Sequence, residues 1–118
     1  MSQTRPVHPF SAVVTEGNGE SVVTVVGELD MATAPELATV LASVVENGLE
    51  KVVVDLSGLS FIDSSGIAVL VTAQHRLLEQ QRHLALRAAR PTALKVFEIA
   101  GLVDFLNVQV DPEELPAV

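Results

Sequence analysis

The chain has 118 residues, a formal charge of -8 at pH 7 and no cysteine. Its length is typical of one domain with its own core, and the lack of cysteine excludes disulfides and thiolate-bound metals. The acidic balance, together with no Trp, no Tyr and only four Phe, argues against nucleic-acid binding, which needs cationic contacts to phosphates and aromatic stacking.

Acidic residues are concentrated in the first part of the chain. Residues 1–73 hold two basic and nine acidic residues, a balance of -7, whereas residues 74–118 hold five and six, a balance of -1. A partner that docks on the acidic part is therefore expected to be basic or to tolerate a negative field. No apolar run is typical of a signal peptide or reaches the roughly 20 residues of a membrane helix, so we expect a cytoplasmic protein without membrane insertion.

The first predicted elements are two short strands rich in β-branched residues, at 10–16 and 21–27. The turn residues GNGE between them are typical of a hairpin. A helix is predicted next, because Thr33 and Glu36 have the spacing of a capping box and Asn47-Gly48 provides an end signal. Its apolar stripe consists of Leu37, Val40, Leu41, Val44 and Val45.

The rest of the chain alternates strands with helices. Strands are predicted at 51–56, 83–88 and 105–110. One helix is predicted between the first two of these strands, ending near Gln80, and another runs from Pro91 to a stop at Gly101. This order predicts a single α/β domain, with a mixed, mostly parallel sheet, an N-terminal antiparallel hairpin at one edge and packed helices.

Four small residues interrupt an apolar stretch where a strand is predicted to meet a helix: Asp63, Ser64, Ser65 and Gly66. Open α/β sheets form their sites at such strand ends. A purely structural explanation is also available, because Asp and Ser are preferred helix N-caps. A cap explains one polar residue, but not two serines followed by a glycine, which costs a helix about 0.5–1 kcal/mol relative to alanine.

Catalysis by a serine nucleophile would require a histidine base within hydrogen-bond reach. His75 lies on the same predicted helix, roughly 15 Å from Ser65. His83 begins the next strand, and His8 precedes the first predicted strand. Metal binding would require clustered ligands, which the sequence does not contain. We therefore expect a protein that is not an enzyme and that binds neither a metal nor a cofactor.

Three motifs together resemble the STAS domain, and more narrowly the bacterial anti-sigma factor antagonists. They are GELD at 27–30, DLSGLSFIDSSGIAVL at 55–70 and RPTALKVFEIAGL at 90–102. The resemblance covers residues 10–110, which leaves a flexible leader at 1–9 and an acidic tail at 111–118. The DSSG segment, with an aromatic residue two positions before its Asp, is the most specific part.

The resemblance implies a regulator that binds an anti-sigma factor, frees a sigma factor and is switched off when that partner, a serine kinase, phosphorylates it. The implied phosphorylation site is Ser65, with Asp63 and Asp30 as nearby acidic residues, and the expected partner-binding residues are Asp30, Asp63, Ser64, Ser65 and Gly66. A phosphatase is a further candidate partner, and we expect a monomer or weak dimer. The alternative is a structural STAS subunit of a stress-signalling or transport complex.

Two physical expectations accompany this interpretation. Gly66 is expected to keep the approach to Ser65 free of side-chain bulk. Asp30 and Asp63 are expected at the same edge of the sheet, because they follow strands that should be parallel neighbours. Since Thr33 is predicted to cap the first helix, Asp30 is expected to have no local structural role and, with Glu28, to attract a basic partner.

Overall fold

The computed structural model describes residues 9–110, so the predicted tail and, apart from Pro9, the predicted leader lie outside the described residues. Strands β1 (Ser11–Gly17) and β2 (Glu20–Leu29) form the expected antiparallel hairpin. Asn18 and Gly19 connect them with φ angles of 54° and 74°, as a two-residue primed turn requires. β2 is longer than predicted and includes most of GELD.

The sheet has five strands in the order β1-β2-β3-β4-β5, and every pair except β1 and β2 is parallel. This confirms the predicted fold class. The remaining strands are β3 (Lys51–Ile62), β4 (His83–Ala89) and β5 (Val108–Val110). β3 continues six residues beyond its predicted end at Leu56, because β2 pairs with it as far as Ile62.

The last strand is shorter than the predicted 105–110. The amide of Leu106 donates to the Leu102 carbonyl and that of Val108 to the Val103 carbonyl, at 3.0 and 2.9 Å. These bonds hold residues 101–107 in turns after the last helix. The apolar pattern at residues 105–107 therefore reflects burial of Leu106, which is fully buried, and the strand itself begins at Val108.

Three helices connect the parallel strands: α1 (Ala34–Asn47), α2 (Ser64–Glu79) and α3 (Pro91–Ala100). Gly48 and Gly101 end α1 and α3 in the left-handed conformation, as predicted. The core combines alternate residues of the strands with the apolar stripes of the helices. Within residues 9–110, no helix is both long and apolar enough to cross a membrane.

A buried guanidinium lies at the N-terminal edge of the sheet, which is the end at which the parallel strands begin. Arg82, 9% exposed, lies just before β4. It donates to the Val45 carbonyl in the last turn of α1 at 2.7 Å and to the Leu49 carbonyl at 2.9 Å. The cation also lies at the negative end of the α1 dipole. Arg82 thus fixes the end of α1 to the sheet.

Candidate functional site

The two acidic loops predicted from the sequence emerge side by side where the parallel strands end. This end of the strands is the C-terminal edge of the sheet. Leu29 and Ile62, the last residues of β2 and β3, are register partners. The amide of Asp63 donates to the Leu29 carbonyl at 3.2 Å. Asp30 and Asp63 directly follow these paired positions, so the expectation that they share one edge is confirmed.

Asp30 has a structural role that the sequence analysis did not predict. Its Oδ1 accepts from the amides of Ala32 and Thr33 at 2.9 and 3.1 Å. The predicted capping box is wrong, because the Thr33 side chain makes no cap hydrogen bond. Its hydroxyl instead donates to the Glu28 carbonyl at 2.7 Å and accepts from the Asp30 amide at 2.9 Å. These side-chain hydrogen bonds hold residues Asp30 to Thr33 in one conformation, and this segment is called the locked turn.

Asp63 is the N-cap of α2, as the structural explanation proposed. Its backbone is extended, and its Oδ1 accepts from the amides of Ser65 and Gly66 at 2.9 and 3.4 Å. All of these bonds use one carboxylate oxygen. The same holds for Asp30, so within residues 9–110 the Oδ2 atom of each aspartate accepts no hydrogen bond. Each carboxylate can support its loop and still bind a partner group.

The two serines occupy the first turn of α2. Ser64 is exposed and Ser65 is half-buried, and both lie at the positive end of the helix dipole. The Ser65 amide is held by Asp63, whereas its hydroxyl makes no hydrogen bond to any described residue. The cap therefore fixes the backbone of Ser65 and leaves the hydroxyl available for chemistry.

A glycine is required at position 66 for a different physical reason from the one expected. It is buried, and a Cβ built on it would lie 2.5 Å from Cγ of Leu29 and 3.1 Å from Cγ1 of Ile62. The idea that Gly66 clears the approach to Ser65 is therefore wrong. The glycine instead lets the first turn of α2 pack directly on the ends of β2 and β3.

Two exposed apolar side chains beside the aspartates were not identified from the sequence as candidate site residues. Met31, in the locked turn, is 77% exposed, and Phe61, near the end of β3, is 49% exposed. The aromatic residue before Asp63 was noted only as part of the family motif. A cleft of about 280 Å³ adjoins Phe61, between residues 59–62 of β3 and Thr92, Ala93 and Val96 of α3.

The histidines described by the structure do not form a catalytic pair with the serines. His75 lies in the fourth turn of α2, and its ring packs against Phe105 with centroids 5.0 Å apart. His83 begins β4, at the opposite edge of the sheet from Ser65. Over residues 9–110 there is also no group of three or more His, Asp or Glu side chains that could hold a metal ion.

A third aspartate, Asp55, lies in β3 away from this edge and uses both of its carboxylate oxygens. Oδ1 accepts from the Ser57 amide and hydroxyl at 2.9 and 2.7 Å, and Oδ2 accepts from Arg87 at 3.5 Å. Partial burial acts to raise the pKa of Asp55, but the bonds from Ser57 and the charge of Arg87 outweigh it and lower the pKa below its ordinary value.

Comparisons with known proteins agree on one family. The model of the STAS domain matches residues 10–115. The anti-sigma-B factor antagonist of Staphylococcus aureus (strain NCTC 8325 / PS 47) is 33% identical over 91 residues, covering 77% of this chain and 84% of that protein. The crystal structure of an anti-sigma factor antagonist from Mycobacterium paratuberculosis matches with a TM-score of 0.80 and 28% identity, over 89% of each chain. Phosphorylated SpoIIAA from Bacillus shares the fold, with a TM-score of 0.66 and 23% identity, over 90% of this chain and 95% of that one.

Proposed function

This chain belongs to the STAS domain family, and on that premise we propose that it is an anti-sigma factor antagonist. In its unphosphorylated form it binds an anti-sigma factor and thereby releases a sigma factor. Phosphorylation of Ser65 by that partner, a serine kinase, switches binding off. The protein acts in the cytoplasm through residues 10–110, as a binding module without catalysis of its own.

The observation that carries the proposal is the first turn of α2. Ser65 lies there on a backbone fixed by Asp63, with a hydroxyl that no described residue engages. Phosphorylation of such a hydroxyl breaks no hydrogen bond to the described residues and leaves the Asp63 cap in place. The partner-binding surface comprises Asp30, Asp63, Ser64 and Ser65, and Gly66 contributes by holding the turn against β2 and β3.

Phosphorylation at this position changes binding more than folding. A phosphate near a helix N-terminus gains about 0.3–1 kcal/mol from the dipole. Repulsion from the Asp63 carboxylate, at roughly 6 Å in water, is about 0.7 kcal/mol for each pair of unit charges. Asp63 also already occupies the amides of Ser65 and Gly66, so the phosphate gains little from them. These small effects oppose each other within the free protein.

The bound state responds differently. A phosphate covered by a partner without compensating groups loses its hydration, which costs several kcal/mol. A partner surface adapted to the neutral hydroxyl of Ser65 would impose this cost. Phosphorylation therefore weakens the complex and leaves the domain folded.

The direct test is a pull-down with the intact chain from its native cell, followed by phosphorylation of the chain by the purified partner with ATP. We expect a small ATP-binding kinase, and phosphopeptide mass spectrometry is expected to place the phosphate on Ser65. Ser65→Ala should bind the kinase and resist phosphorylation, whereas the neighbouring control Ser64→Ala should be phosphorylated normally. Phosphate on Ser64 or Thr33 would contradict the assigned site. Recovery of only stress-complex or transporter subunits would favour the structural alternative.

A further inference from the structure

We propose that Met31 and Phe61 are apolar anchors for the anti-sigma factor, so that its docking face combines basic groups with apolar side chains. This inference rests on the proposed function and names the residues that would supply affinity at that site. Among residues 9–110, the exposed large apolar side chains are Val13, Val26, Met31, Phe61, Leu78 and Ile99. Two of them lie at the edge that carries Asp30, Asp63 and Ser65.

The first step is the proximity of the two side chains. Leu29 and Ile62 are paired across β2 and β3, and Met31 and Phe61 lie two and one residues from these positions. Chain geometry then limits the separation of the Met31 and Phe61 Cα atoms to roughly 16 Å. A standard protein interface covers about 800 Å² on each partner. One partner of standard size can therefore cover both positions.

The backbone that carries Met31 and Phe61 is held in place by hydrogen bonds. Met31 lies within the turn that Asp30 and Thr33 lock by side-chain hydrogen bonds. Phe61 lies in β3 and is paired with Glu28. Because the backbone under both side chains is already ordered, binding loses less conformational entropy than it would on a flexible loop. Exposed apolar groups on an ordered backbone are suited to act as hot spots.

The third step is the surroundings of Phe61. The adjoining cleft of about 280 Å³ is at the lower end of the size range of small-molecule pockets, roughly 300–1,000 Å³. Its size suits one or two apolar side chains inserted by a protein partner. Within residues 9–110 the Oδ2 atoms of Asp30 and Asp63 accept no hydrogen bond. Their negative charge at the same end of the sheet favours Lys or Arg around the inserted group.

Two other exposed apolar residues provide matched controls. Ile99, 79% exposed, resembles Met31 in exposure and lies near the C-terminal end of α3. Leu78, 47% exposed, resembles Phe61 and lies near the end of α2, roughly 21 Å along the helix axis from Ser64. Their substitution removes similar apolar surface at places outside the proposed interface.

The test is a titration of the kinase identified by the pull-down, purified, against intact chains carrying Met31→Ser, Phe61→Ser, Ile99→Ser or Leu78→Ser. We expect roughly tenfold or greater loss of affinity for each anchor variant and less than about twofold for each control. The anchor losses should persist at high salt, since burial of apolar surface is not screened. Phe61→Leu, with a melting temperature measured alongside, should give an intermediate loss and separates an anchor effect from misfolding.

Two outcomes overturn the inference in distinguishable ways. Wild-type binding with anchor variants indistinguishable from the controls refutes the anchors and leaves the proposed function intact. Failure of the wild-type chain to bind any such kinase refutes the proposed function, and the anchors with it.

Discussion

The two ends of the sheet both carry polar side chains near helix termini, but they use them in opposite ways. At the N-terminal edge, Arg82 is buried and its guanidinium donates to main-chain carbonyls at the end of α1 and to Gln80. At the C-terminal edge, Asp30 and Asp63 lie in partly exposed loops, and each engages its own loop with a single oxygen. Within residues 9–110, the first cluster is satisfied internally, and the second keeps acceptors that no described residue uses.

If the proposed docking surface is right, this difference separates structural polar groups from partner-binding ones better than residue type does. A buried charge must be fully hydrogen-bonded, because an unsatisfied one costs several kcal/mol. A charge that keeps an unused atom toward solvent loses little and can bind something else. Substitutions at the first edge should therefore change stability, and substitutions at the second should change binding.

The largest expected effect is that of Arg82→Met. It removes the donors to the Val45 carbonyl, where the bond is buried, and to the Leu49 carbonyl, where it is partly buried. A buried acceptor left without a partner costs about 1–3 kcal/mol. We expect a loss of about 3 kcal/mol in the free energy of unfolding, measured by urea denaturation. The control Arg87→Met, at an exposed arginine, should lose less than about 1 kcal/mol. Equal stability of the two variants would show that the contrast between the edges is wrong.

Gly66→Ala should destabilise the protein although alanine favours helices. Helix propensity alone would predict a gain of up to about 1 kcal/mol. The added Cβ would lie 2.5 Å from Cγ of Leu29, and such overpacking costs about 1–3 kcal/mol. We expect a net loss of about 1 kcal/mol or more by thermal or urea unfolding.

The same contact can be tested by a double-mutant cycle. Leu29→Ala creates space beside Gly66, so Gly66→Ala should be less damaging in that background. Additive effects of the two substitutions would show that they do not interact, and a stability gain in the single Gly66→Ala variant would rule out the packing role.

Asp30 provides a comparison between charge and hydrogen bonding. Asp30→Asn keeps an oxygen that can accept from the amides of Ala32 and Thr33 but removes the charge, so stability should change by less than about 0.5 kcal/mol. Affinity for the kinase should fall by roughly threefold to tenfold at low salt and by less at high salt. Asp30→Ala removes the turn as well and should cost about 1 kcal/mol of stability. Wild-type affinity of Asp30→Asn at low ionic strength would exclude Asp30 from the docking surface.

Much of the fold could be predicted because its signals are local. The hairpin turn, the glycines that end α1 and α3 and the mostly parallel strand order all follow from short patterns. The extension of β3 to Ile62 could not be predicted, because the glycine and serines of that segment are poor strand formers and only pairing with β2 orders them. The strand predicted at 105–110 began too early for a different reason. Burial of Leu106 gives residues 105–107 the apolar alternation of a strand, although they form turns.

The site was predictable in position but not in mechanism. Strand ends in an α/β sheet locate Asp30 and Asp63, and Asp63 is a recognisable N-cap. Thr33 has capping-box spacing, yet its hydroxyl bonds to the Glu28 carbonyl, a competition that spacing does not reveal. The role of Gly66 depends on Leu29, which is distant in sequence and becomes its neighbour only in the folded sheet.

The smallest expected effect concerns Asp55, the aspartate whose two oxygens are both occupied. If an unused oxygen is what makes an aspartate functional here, Asp55→Asn should leave affinity for the kinase unchanged. Its effect should be on stability and should be less than about 1 kcal/mol, as for a partly exposed ion pair.

The pKa of Asp55 is lowered in the folded protein from its ordinary value of 3.8, so the carboxylate stabilises the fold above about pH 4. That contribution should be lost as the pH falls through the lowered pKa. Urea denaturation of wild-type and Asp55→Asn chains between pH 7 and pH 3 should therefore show a stability difference that is constant above about pH 5 and narrows below pH 4. A difference that grows on acidification would show that the pKa of Asp55 is not lowered by folding. A loss of affinity at neutral pH would show that oxygen occupancy does not separate Asp55 from Asp30 and Asp63.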